Sequence, residues 1–336
     1  MPSRERVALL KRCLETVRRR APLATEIIVV DDGSREGIIS QAAGKFPGVR
    51  VLRLEKNQGF CQAANAGVSA AVGEIVQLLN DDTEVCPGFA EAALEEFNQP
   101  QVGAVAPLVL RWPGWVNGPE IIDSAGDAYY RSGIAAKRGN GQPFSGAWEE
   151  AGEVFGASGS SVFFRRELFL RVGGFPAHFG GYFEDVDLSF RIRQAGFQIR
   201  YQPASRILHH VSATYGSSAT NRKLVEQQAR NEERVFWRNM PGPKLASCLV
   251  PHFLSLLGKA WKRGSEGNLL PYLLGKLGVL FEAGEIVSHR KWLVKNLGKS
   301  ESAVEKMEAT LAPKGAFGRF GIVFPPGSKR NILLAR

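Results

Sequence analysis

Paired cysteines are missing from this chain of 336 residues. Its four cysteines are far apart in the sequence: Cys13, Cys61, Cys86 and Cys248. Zinc sites and disulfide frameworks use cysteines at short, repeated spacings, so we expect neither here. The same pattern favours a reducing compartment.

Long apolar runs are missing as well. The first twenty residues are basic and lack a continuous apolar segment, so they do not have the form of a signal peptide. The longest apolar stretch near the C-terminus, residues 245–261, is interrupted by Pro251, His252 and Lys259. It is too short and too broken to predict a transmembrane span.

A net charge is nearly absent from the first two thirds of the chain. Residues 1–241 carry 28 Lys and Arg against 27 Asp and Glu, whereas residues 242–336 carry 15 against 6. The formal net charge of +10 therefore belongs to the C-terminal part. Such a basic tail could bind nucleic acid, attach to an anionic membrane surface or simply aid solubility, and we do not favour nucleic acid.

Apolar strands and amphipathic helices alternate through the first hundred residues. The pattern predicts strands at 26–30, 49–54 and 75–79, and helices at 5–20, 36–45 and 61–72. This order indicates an α/β fold with a doubly wound, mostly parallel sheet. Further strands are expected at 102–106, 154–164 and 199–201, with loops over a substrate site at 111–153.

Carboxylates directly follow two of these strands. Asp31 and Asp32 end the strand at 26–30, and Asn80, Asp81 and Asp82 follow the strand at 75–79. Open α/β sheets hold their ligands at the carboxyl ends of their strands. Hard oxygen ligands there suit Mg²⁺ or Mn²⁺, which bind one or two carboxylates together with substrate phosphates. The alternative is that these side chains only cap a turn.

A second acidic group follows a glycine-rich loop. Glu184, Asp185 and Asp187 lie at the predicted start of a helix that Gly196 ends. One acid would suffice as an N-cap, so three suggest a further role. His209 and His210 follow the last predicted strand and could bind a metal or a phosphate, or lie on the surface.

In this order, the motifs resemble those of family 2 glycosyltransferases with the GT-A fold, in particular bacterial rhamnosyltransferase-like members. The resemblance rests on the segments EIIVVDDGS (26–34), NQGF (57–60), LNDDTE (79–84) and GGYFEDVDL (180–188). It covers about residues 8–240. The sequence departs from the family in one respect: the apolar strand with which the family begins is expected to be missing here.

The resemblance also implies roles for individual residues. Binding of the nucleotide donor falls to Asp31, Asp32, Asn57, Gly59, Asn65, Asn80 and Asp81. Asp82 becomes the metal ligand, together with His209 or, failing that, His210. Asp185 becomes the general base, supported by Glu184 and Arg191.

We therefore expect an inverting glycosyltransferase that depends on Mg²⁺ or Mn²⁺. Its donor would be a UDP-, dTDP- or GDP-sugar, and its acceptor a hydroxyl of a glycan or a lipid-linked sugar in cell-surface polysaccharide or glycolipid synthesis. An impaired protein that binds sugar nucleotides or nucleic acid is one alternative. A sugar nucleotidyltransferase is another, although the sequence lacks the basic, glycine-rich phosphate loop that it needs near the N-terminus.

The expected organisation has two parts. Residues 1–240 form the GT-A domain, with a nucleotide-binding half (1–100) and an acceptor or catalytic half (101–240), and residues 241–336 form a basic helical extension. Residues 269–297 resemble an amphipathic helix pair, which could lie in a membrane interface or pack as a helical subdomain. We expect a cytoplasmic protein at the inner face of the cell membrane.

Overall fold

A computed structural model of the chain describes residues 1–112, 119–210 and 221–298. The predicted alternation of strands and helices holds through the first hundred residues. The strands are β1 (Pro2–Ser3), β2 (Ile27–Asp31), β3 (Val49–Arg53), β4 (Ile75–Leu79) and β5 (Thr83–Val85). The helices are α1 (Val7–Arg20), α2 (Ile38–Ala43), α3 (Phe60–Ala70) and α4 (Phe89–Glu96).

Seven further strands and six further helices are described from residue 102 onward. The strands are β6 (Val102–Arg111), β7 (Ile122–Ser124), β8 (Asp127–Tyr129), β9 (Ala135–Lys137), β10 (Gly152–Val154), β11 (Ser161–Arg165) and β12 (Gln198–His209). The helices are α5 (Arg166–Arg171), α6 (Glu184–Gln194), α7 (Arg222–Asn239), α8 (Gly242–Ser265), α9 (Leu269–Gly278) and α10 (Ala283–Leu297). Part of the predicted loop region, residues 113–118, lies outside the described residues.

The α/β class is confirmed, but the pairing of the strands is mixed rather than mostly parallel. β1, β2 and β3 form a parallel sheet, while a larger sheet has the order β10–β12–β6–β11–β4, with β5 beside β12 and β7 beside β6. In the larger sheet only β6 and β12 pair in parallel. β11 is antiparallel because the chain returns from its loops at the end where β4 finishes, so that Ser161 pairs with Leu79.

The first strand is shortened to two residues rather than missing. Pro2 pairs with Val30 and Ser3 with Asp31, and the Met1 amino group donates a hydrogen bond to the carbonyl of Ile28 at 2.8 Å. This strand does not pair with β4, so Asp31 and Asp32 follow a strand of one sheet while Asp81 and Asp82 follow a strand of the other, not of a single sheet. A groove of about 440 Å³, lined mainly by apolar side chains, lies between β2 and β4.

Small side chains let α3 pack closely on the first sheet. Ala63 is buried against Ile28 and Val30 of β2, and a Cβ atom at Gly67 would lie 3.0 Å from Val30. The predicted helices of the C-terminal part are present, and α9 packs against α7. The proposed boundaries at residues 100 and 240 stay predictions.

Candidate active site

The two carboxylates after β4 are fixed by the start of the chain. Asp81 is fully buried and accepts hydrogen bonds from Ser3 Oγ at 2.6 Å and from Arg6. Arg6 also donates to Asp82 Oδ2 at 2.6 Å. Burial raises the pKa of Asp81 to about 6, although Arg6 and Ser3 act in the opposite direction. Ser3 thus connects Asp81 to the first sheet.

His209, the last residue of β12, faces Asp82. Its Nε2 lies 3.4 Å from Asp82 Oδ1, and its Nδ1 lies 3.0 Å from Asp123 Oδ2. Asp123 is buried and also accepts a hydrogen bond from Lys137 Nζ at 2.8 Å. Burial opposes the charged imidazole, but the two carboxylates raise the pKa of His209 overall. The result is a row of alternating charges that fixes the orientation of the ring.

His210 points away from this row. Its Nε2 lies 3.1 Å from Glu84 Oε1, and its ring stacks on Trp112 with 4.3 Å between the ring centroids. Successive side chains of a strand point to opposite faces, which separates the two histidines. Only His209 of the pair therefore faces Asp82.

Asp185 lies in the first turn of α6, against a turn at residues 158–161. Its Oδ2 accepts a hydrogen bond from the Gly159 amide at 2.7 Å, and its Oδ1 accepts one from the Val186 amide at 2.8 Å. A Cβ atom at Gly159 would lie 3.2 Å from Glu184 Oε1 and 3.3 Å from Asp185 Oδ2. The missing side chain at Gly159 therefore lets the turn close on both carboxyl groups.

The same turn reaches the end of β4. The Asn80 amide donates a hydrogen bond to the Ser160 carbonyl at 3.0 Å, and Ser160 follows the glycine that binds Asp185. Neighbouring residues of one turn thus contact Asp185 and the backbone of Asn80, which lies two residues before Asp82. This turn brings Asp82 and Asp185, which are about 100 residues apart in the sequence, into one site.

Burial controls the protonation of the acids around Asp185. It raises the pKa of Asp185 itself, and it raises that of Glu184 well above the usual range, with the charge of Asp185 as a second cause. Burial and the Asp185 charge also raise the pKa of Asp127 to about 8, against the effect of Lys137. Burial therefore favours the protonated form of Glu184, and a pKa of about 8 favours protonated Asp127 near pH 7. Asp185, which is only partly buried, is then the carboxylate left to act as a base.

Asp31 and Asp32 accept backbone hydrogen bonds. Asp31 Oδ1 accepts one from the Ser34 amide at 2.8 Å, and Asp32 accepts from the amides of Gln58 at 2.7 Å and Gly59 at 3.0 Å. Burial would raise the pKa of Asp31, but hydrogen bonds from Ser40 and Ser34 hold it below its usual value. The two acids shape the loops that would surround a nucleotide.

The turn at 57–59 touches the loop before α6. Asn57 Oδ1 accepts a hydrogen bond from the Gly59 amide at 3.1 Å. Gly59 has φ of +84°, and a Cβ atom there would lie 3.2 Å from the Gly180 carbonyl oxygen. Glycine at 59 therefore permits both the left-handed backbone and the close approach.

Asn65 and Asn231, on two different helices, form hydrogen bonds to the loop before α6. Asn65 in α3 exchanges two hydrogen bonds of 2.8 Å with the backbone of Phe175. Asn231 in α7 donates to the carbonyls of Gly181 at 3.0 Å and Tyr182 at 2.9 Å. The residues just before Glu184, Tyr182 and Phe183, both have φ of +67°. Such left-handed backbone needs the support that the two asparagines supply.

Arg191 is paired with Asp187, where we expected direct support of Asp185. Its Nε donates to Asp187 Oδ2 at 2.8 Å, and both side chains are buried. Residues four apart share one face of a helix, whereas residues six apart, such as 185 and 191, lie on different faces. Arg191 therefore fixes α6 from the core side.

Five residues at the site were not predicted from the sequence: Ser3, Arg6, Asp123, Asp127 and Lys137. Asp123 and Asp127 belong to the region predicted as loops. Their four-residue spacing in a segment with few other charges is the only signal that the sequence offered.

The metal predicted for Asp82 and His209 fits the chemistry of these donors. Within residues 1–112, 119–210 and 221–298, no three His, Cys, Asp or Glu side chains are grouped as a metal site. The Asp82 carboxylate and the His209 imidazole, which Asp123 orients, nevertheless resemble the protein ligands of a metal site whose remaining ligands are substrate phosphates and water. Arg6 supplies the positive charge to Asp82 in this structure.

Comparisons with known proteins agree with this architecture. The model of the family described as Glycosyl transferase family 2 matches residues 1–173. The N-acetylglucosaminyl-diphospho-decaprenol L-rhamnosyltransferase of Mycobacterium tuberculosis is 31% identical over 225 residues, covering 58% of this chain and 70% of its own length. The glucosyl-dolichyl phosphate glucuronosyltransferase of Haloferax volcanii is 26% identical, covering 70% of each chain.

Two solved structures share the fold. GalNAc-T7 with UDP, GalNAc and Mn²⁺ is similar with a TM-score of 0.58 and 21% identity, over 86% of this chain and 53% of that one. A mannosyltransferase of Pyrobaculum calidifontis with GDP-Man and Mn²⁺ has a TM-score of 0.52 and 16% identity, over 92% of this chain and 85% of its own. The chain spans about half the length of the first. On the family match, the chain belongs to glycosyl transferase family 2 and is a glycosyltransferase.

Proposed function

We propose that this chain transfers a sugar from a nucleotide-diphosphate donor to a hydroxyl group with inversion at the anomeric carbon. The observation that carries the proposal is that the turn at 158–161 joins Asp185 to the end of β4, where Asp82 faces His209. Of Asp127, Glu184 and Asp185, Asp185 is the most exposed, and hydrogen bonds from the Gly159 and Val186 amides favour its ionised form. One base is sufficient for an inverting transfer, because no covalent intermediate forms.

Asp185 acts as the general base. It takes the proton of the acceptor hydroxyl while that oxygen bonds to the anomeric carbon and the bond from this carbon to the diphosphate oxygen breaks. A carboxylate of raised pKa is a stronger base, so the burial of Asp185 favours the proton transfer. The Gly159 and Val186 amides hold the carboxylate in place, and buried Glu184 limits access of water beside it.

The leaving group is a nucleoside diphosphate whose negative charge grows as the bond breaks. A divalent cation, Mg²⁺ or Mn²⁺, held by Asp82 and His209 together with the diphosphate, would offset that charge. Asp123 keeps His209 oriented with Nε2 toward Asp82. Arg6, which pairs with both Asp81 and Asp82, would add positive charge beside the diphosphate.

The donor is proposed to be a UDP-, dTDP- or GDP-sugar, and the acceptor a lipid-linked glycan. Support comes from the relatives, whose names describe transfer to diphospho-decaprenol and dolichyl phosphate compounds, and from the neighbours, whose structures hold UDP or GDP-Man with Mn²⁺. We place the reaction at the cytoplasmic face of the cell membrane, in polysaccharide or glycolipid synthesis.

Hydrolysis of the donor by the purified chain tests this function. UDP-, GDP- and dTDP-sugars are incubated with Mn²⁺, Mg²⁺ or EDTA, and the nucleoside diphosphate released is measured. We expect release from one donor class, loss of release with EDTA or in Asp82→Ala, and nearly normal release in the control Glu84→Gln. Asp185→Asn should bind the donor normally and fail in transfer to an acceptor. Release that is indifferent to EDTA and to Asp82→Ala would contradict the proposal.

A further inference from the structure

Helix α8 exposes an unusually apolar face. Its exposed side chains follow the spacing i, i+1, i+4, i+5, i+8 and i+12, which is one side of a helix. Each is between 41% and 74% exposed: Leu249, Val250, Phe253, Leu254, Leu257 and Trp261. Single exposed apolar side chains are ordinary, but a row of this length usually marks a binding surface.

Helix α9 repeats the pattern. Its exposed leucines have the same i, i+1, i+4, i+5, i+8 spacing, and the turn after it adds Leu280 and Phe281, which is 93% exposed. The leucines are Leu269, Leu270, Leu273, Leu274 and Leu277.

The two apolar rows face the same way because both helices are anchored to one residue on their other sides. Lys259 of α8 and Lys276 of α9 both donate hydrogen bonds to Glu232 of α7, and the second bond is 2.7 Å long. Lys259 is opposite the apolar row of α8, and buried Tyr272 and Gly275 are opposite that of α9, where a Cβ atom at Gly275 would lie 2.3 Å from the Glu226 carbonyl oxygen of α7. The rows therefore form one surface on the side away from α7, which we call the outer face.

The helices that carry the outer face have an excess of positive charge. Residues 242–298 contain eight Lys and Arg but only three glutamates. Each glutamate is already paired with an arginine: Glu266 with Arg263, Glu282 with Arg234, and Glu285 with Arg238. Lys262, Lys291 and Lys295 are exposed. The acidic groups thus do not cancel the positive potential that these lysines create.

We propose that the outer face is a docking surface for an anionic lipid bilayer. An apolar and aromatic face on helices with an excess of positive charge matches the two parts of a lipid interface, its acyl chains and its anionic headgroups. No helix in the described ranges is long and apolar enough to cross a bilayer, and the surface lies on the outside of a packed helix layer. Docking would hold the catalytic domain beside membrane-embedded acceptors, although the inference itself does not depend on the proposed reaction.

Flotation with lipid vesicles tests the inference on the full chain. Vesicles of phosphatidylcholine alone are compared with vesicles containing about 30% phosphatidylglycerol, at low and high salt. We expect binding to the anionic vesicles that weakens with salt. The double variant Trp261→Glu/Phe281→Glu should bind at least about tenfold more weakly, because two acyl-facing side chains become charged.

A matched control uses apolar residues that are equally exposed elsewhere. Leu23 and Val72 are 109% and 82% exposed and lie in the first hundred residues. The double variant Leu23→Glu/Val72→Glu adds the same charge, so its binding should equal that of the wild type. In addition, brominated lipids should quench the fluorescence of the wild type more than that of Trp261→Phe.

Three results would overturn the inference. The first is that the wild type does not bind anionic vesicles. The second is that the control variant loses as much vesicle binding as Trp261→Glu/Phe281→Glu. The third is that the wild type does not bind vesicles but is a dimer in sedimentation velocity, which Trp261→Glu/Phe281→Glu converts to a monomer. Donor hydrolysis measured without vesicles should be the same in all variants. Failure of the docking surface and failure of the glycosyltransferase chemistry are thereby distinguished.

Discussion

Replacing Asp123 by asparagine is expected to weaken metal binding without touching a metal ligand. The Asp123 carboxylate is 2% exposed and accepts hydrogen bonds from His209 Nδ1 at 3.0 Å and Lys137 Nζ at 2.8 Å. Asparagine has nearly the same shape but no charge. His209 therefore loses the anionic partner that directs its Nε2 toward Asp82.

The expected loss of metal affinity follows from the role of carboxylates that orient metal-bound histidines. Mutating the carboxylate behind a metal-bound histidine typically weakens metal binding about 10- to 100-fold, which corresponds to about 1.4–2.7 kcal/mol. The loss of charged hydrogen bonds should lower the free energy of unfolding by about 1.5–3 kcal/mol.

The pH dependence of the metal-free protein gives a second readout. The pKa of His209 is raised in the folded state, so its stabilising contribution is complete below the unfolded pKa of about 6.5. This contribution is lost as the pH rises through the folded pKa. Asp123→Asn brings the two pKa values closer, so its stability should depend less on pH in this range.

Titration calorimetry with Mn²⁺ alone and NMR titration of the histidines measure both effects. The control is Glu84→Gln, which removes the corresponding carboxylate from His210. Equal Mn²⁺ affinity of Asp123→Asn and the wild type, or an equal loss in Glu84→Gln, would refute the reasoning.

Three further substitutions test other parts of the site. In thermal melts, Asp127→Asn should stabilise the protein more at pH 8 than at pH 5. The raised pKa of Asp127, about 8, makes the stability of the wild type fall as the pH rises, and asparagine removes this dependence. An equal gain in Tm at both pH values would count against the raised pKa. Arg6→Gln should cost about 3–5 kcal/mol of unfolding free energy, and Mn²⁺ should raise its Tm more than that of the wild type; identical Mn²⁺ shifts would argue that Arg6 and the cation do not share Asp82. Gly33→Ala should lower the free energy of unfolding, measured with urea, more than Gly48→Ala does. Both glycines have positive φ, but of the two only Gly33 would place a Cβ atom against backbone, 2.4 Å from the Lys56 carbonyl carbon. Equal losses of unfolding free energy would mean that the turn at Gly33 adjusts without cost.

Local sequence patterns predicted most helices and the early strands, because these elements are set by periodicity within a few turns. β12 shows where that approach fails. The strand predicted at 199–201 continues to His209, since the sheet absorbs residues 203–205 as an irregularity in the pairing with β6. Only the neighbouring strand makes that continuation favourable.

The prediction of one continuous strand at 154–164 is wrong for a related reason. Its small residues fit a strand, but Gly156 to Ser160 form a turn between β10 and β11. That turn is fixed by Asn80 and Asp185, which are distant in sequence. A pattern of small residues contains no information about such partners.

The acidic and histidine motifs could be found in the sequence because they stand at the ends of regular elements. Their partners could not. Arg6 bonds to Asp82 across 76 residues and Asp123 bonds to His209 across 86, so only the folded chain brings them together. The choice between His209 and His210 likewise needed the direction of the side chains in β12.

The most direct test of the active site compares these adjacent histidines. Nucleoside diphosphate release from the preferred sugar nucleotide is measured for His209→Ala and His210→Ala over a range of Mn²⁺ concentrations. We expect His209→Ala to need far more Mn²⁺ and to turn over at least about tenfold more slowly, while His210→Ala stays close to the wild type. A loss of release in His210→Ala with normal Mn²⁺ dependence in His209→Ala would contradict the proposed site.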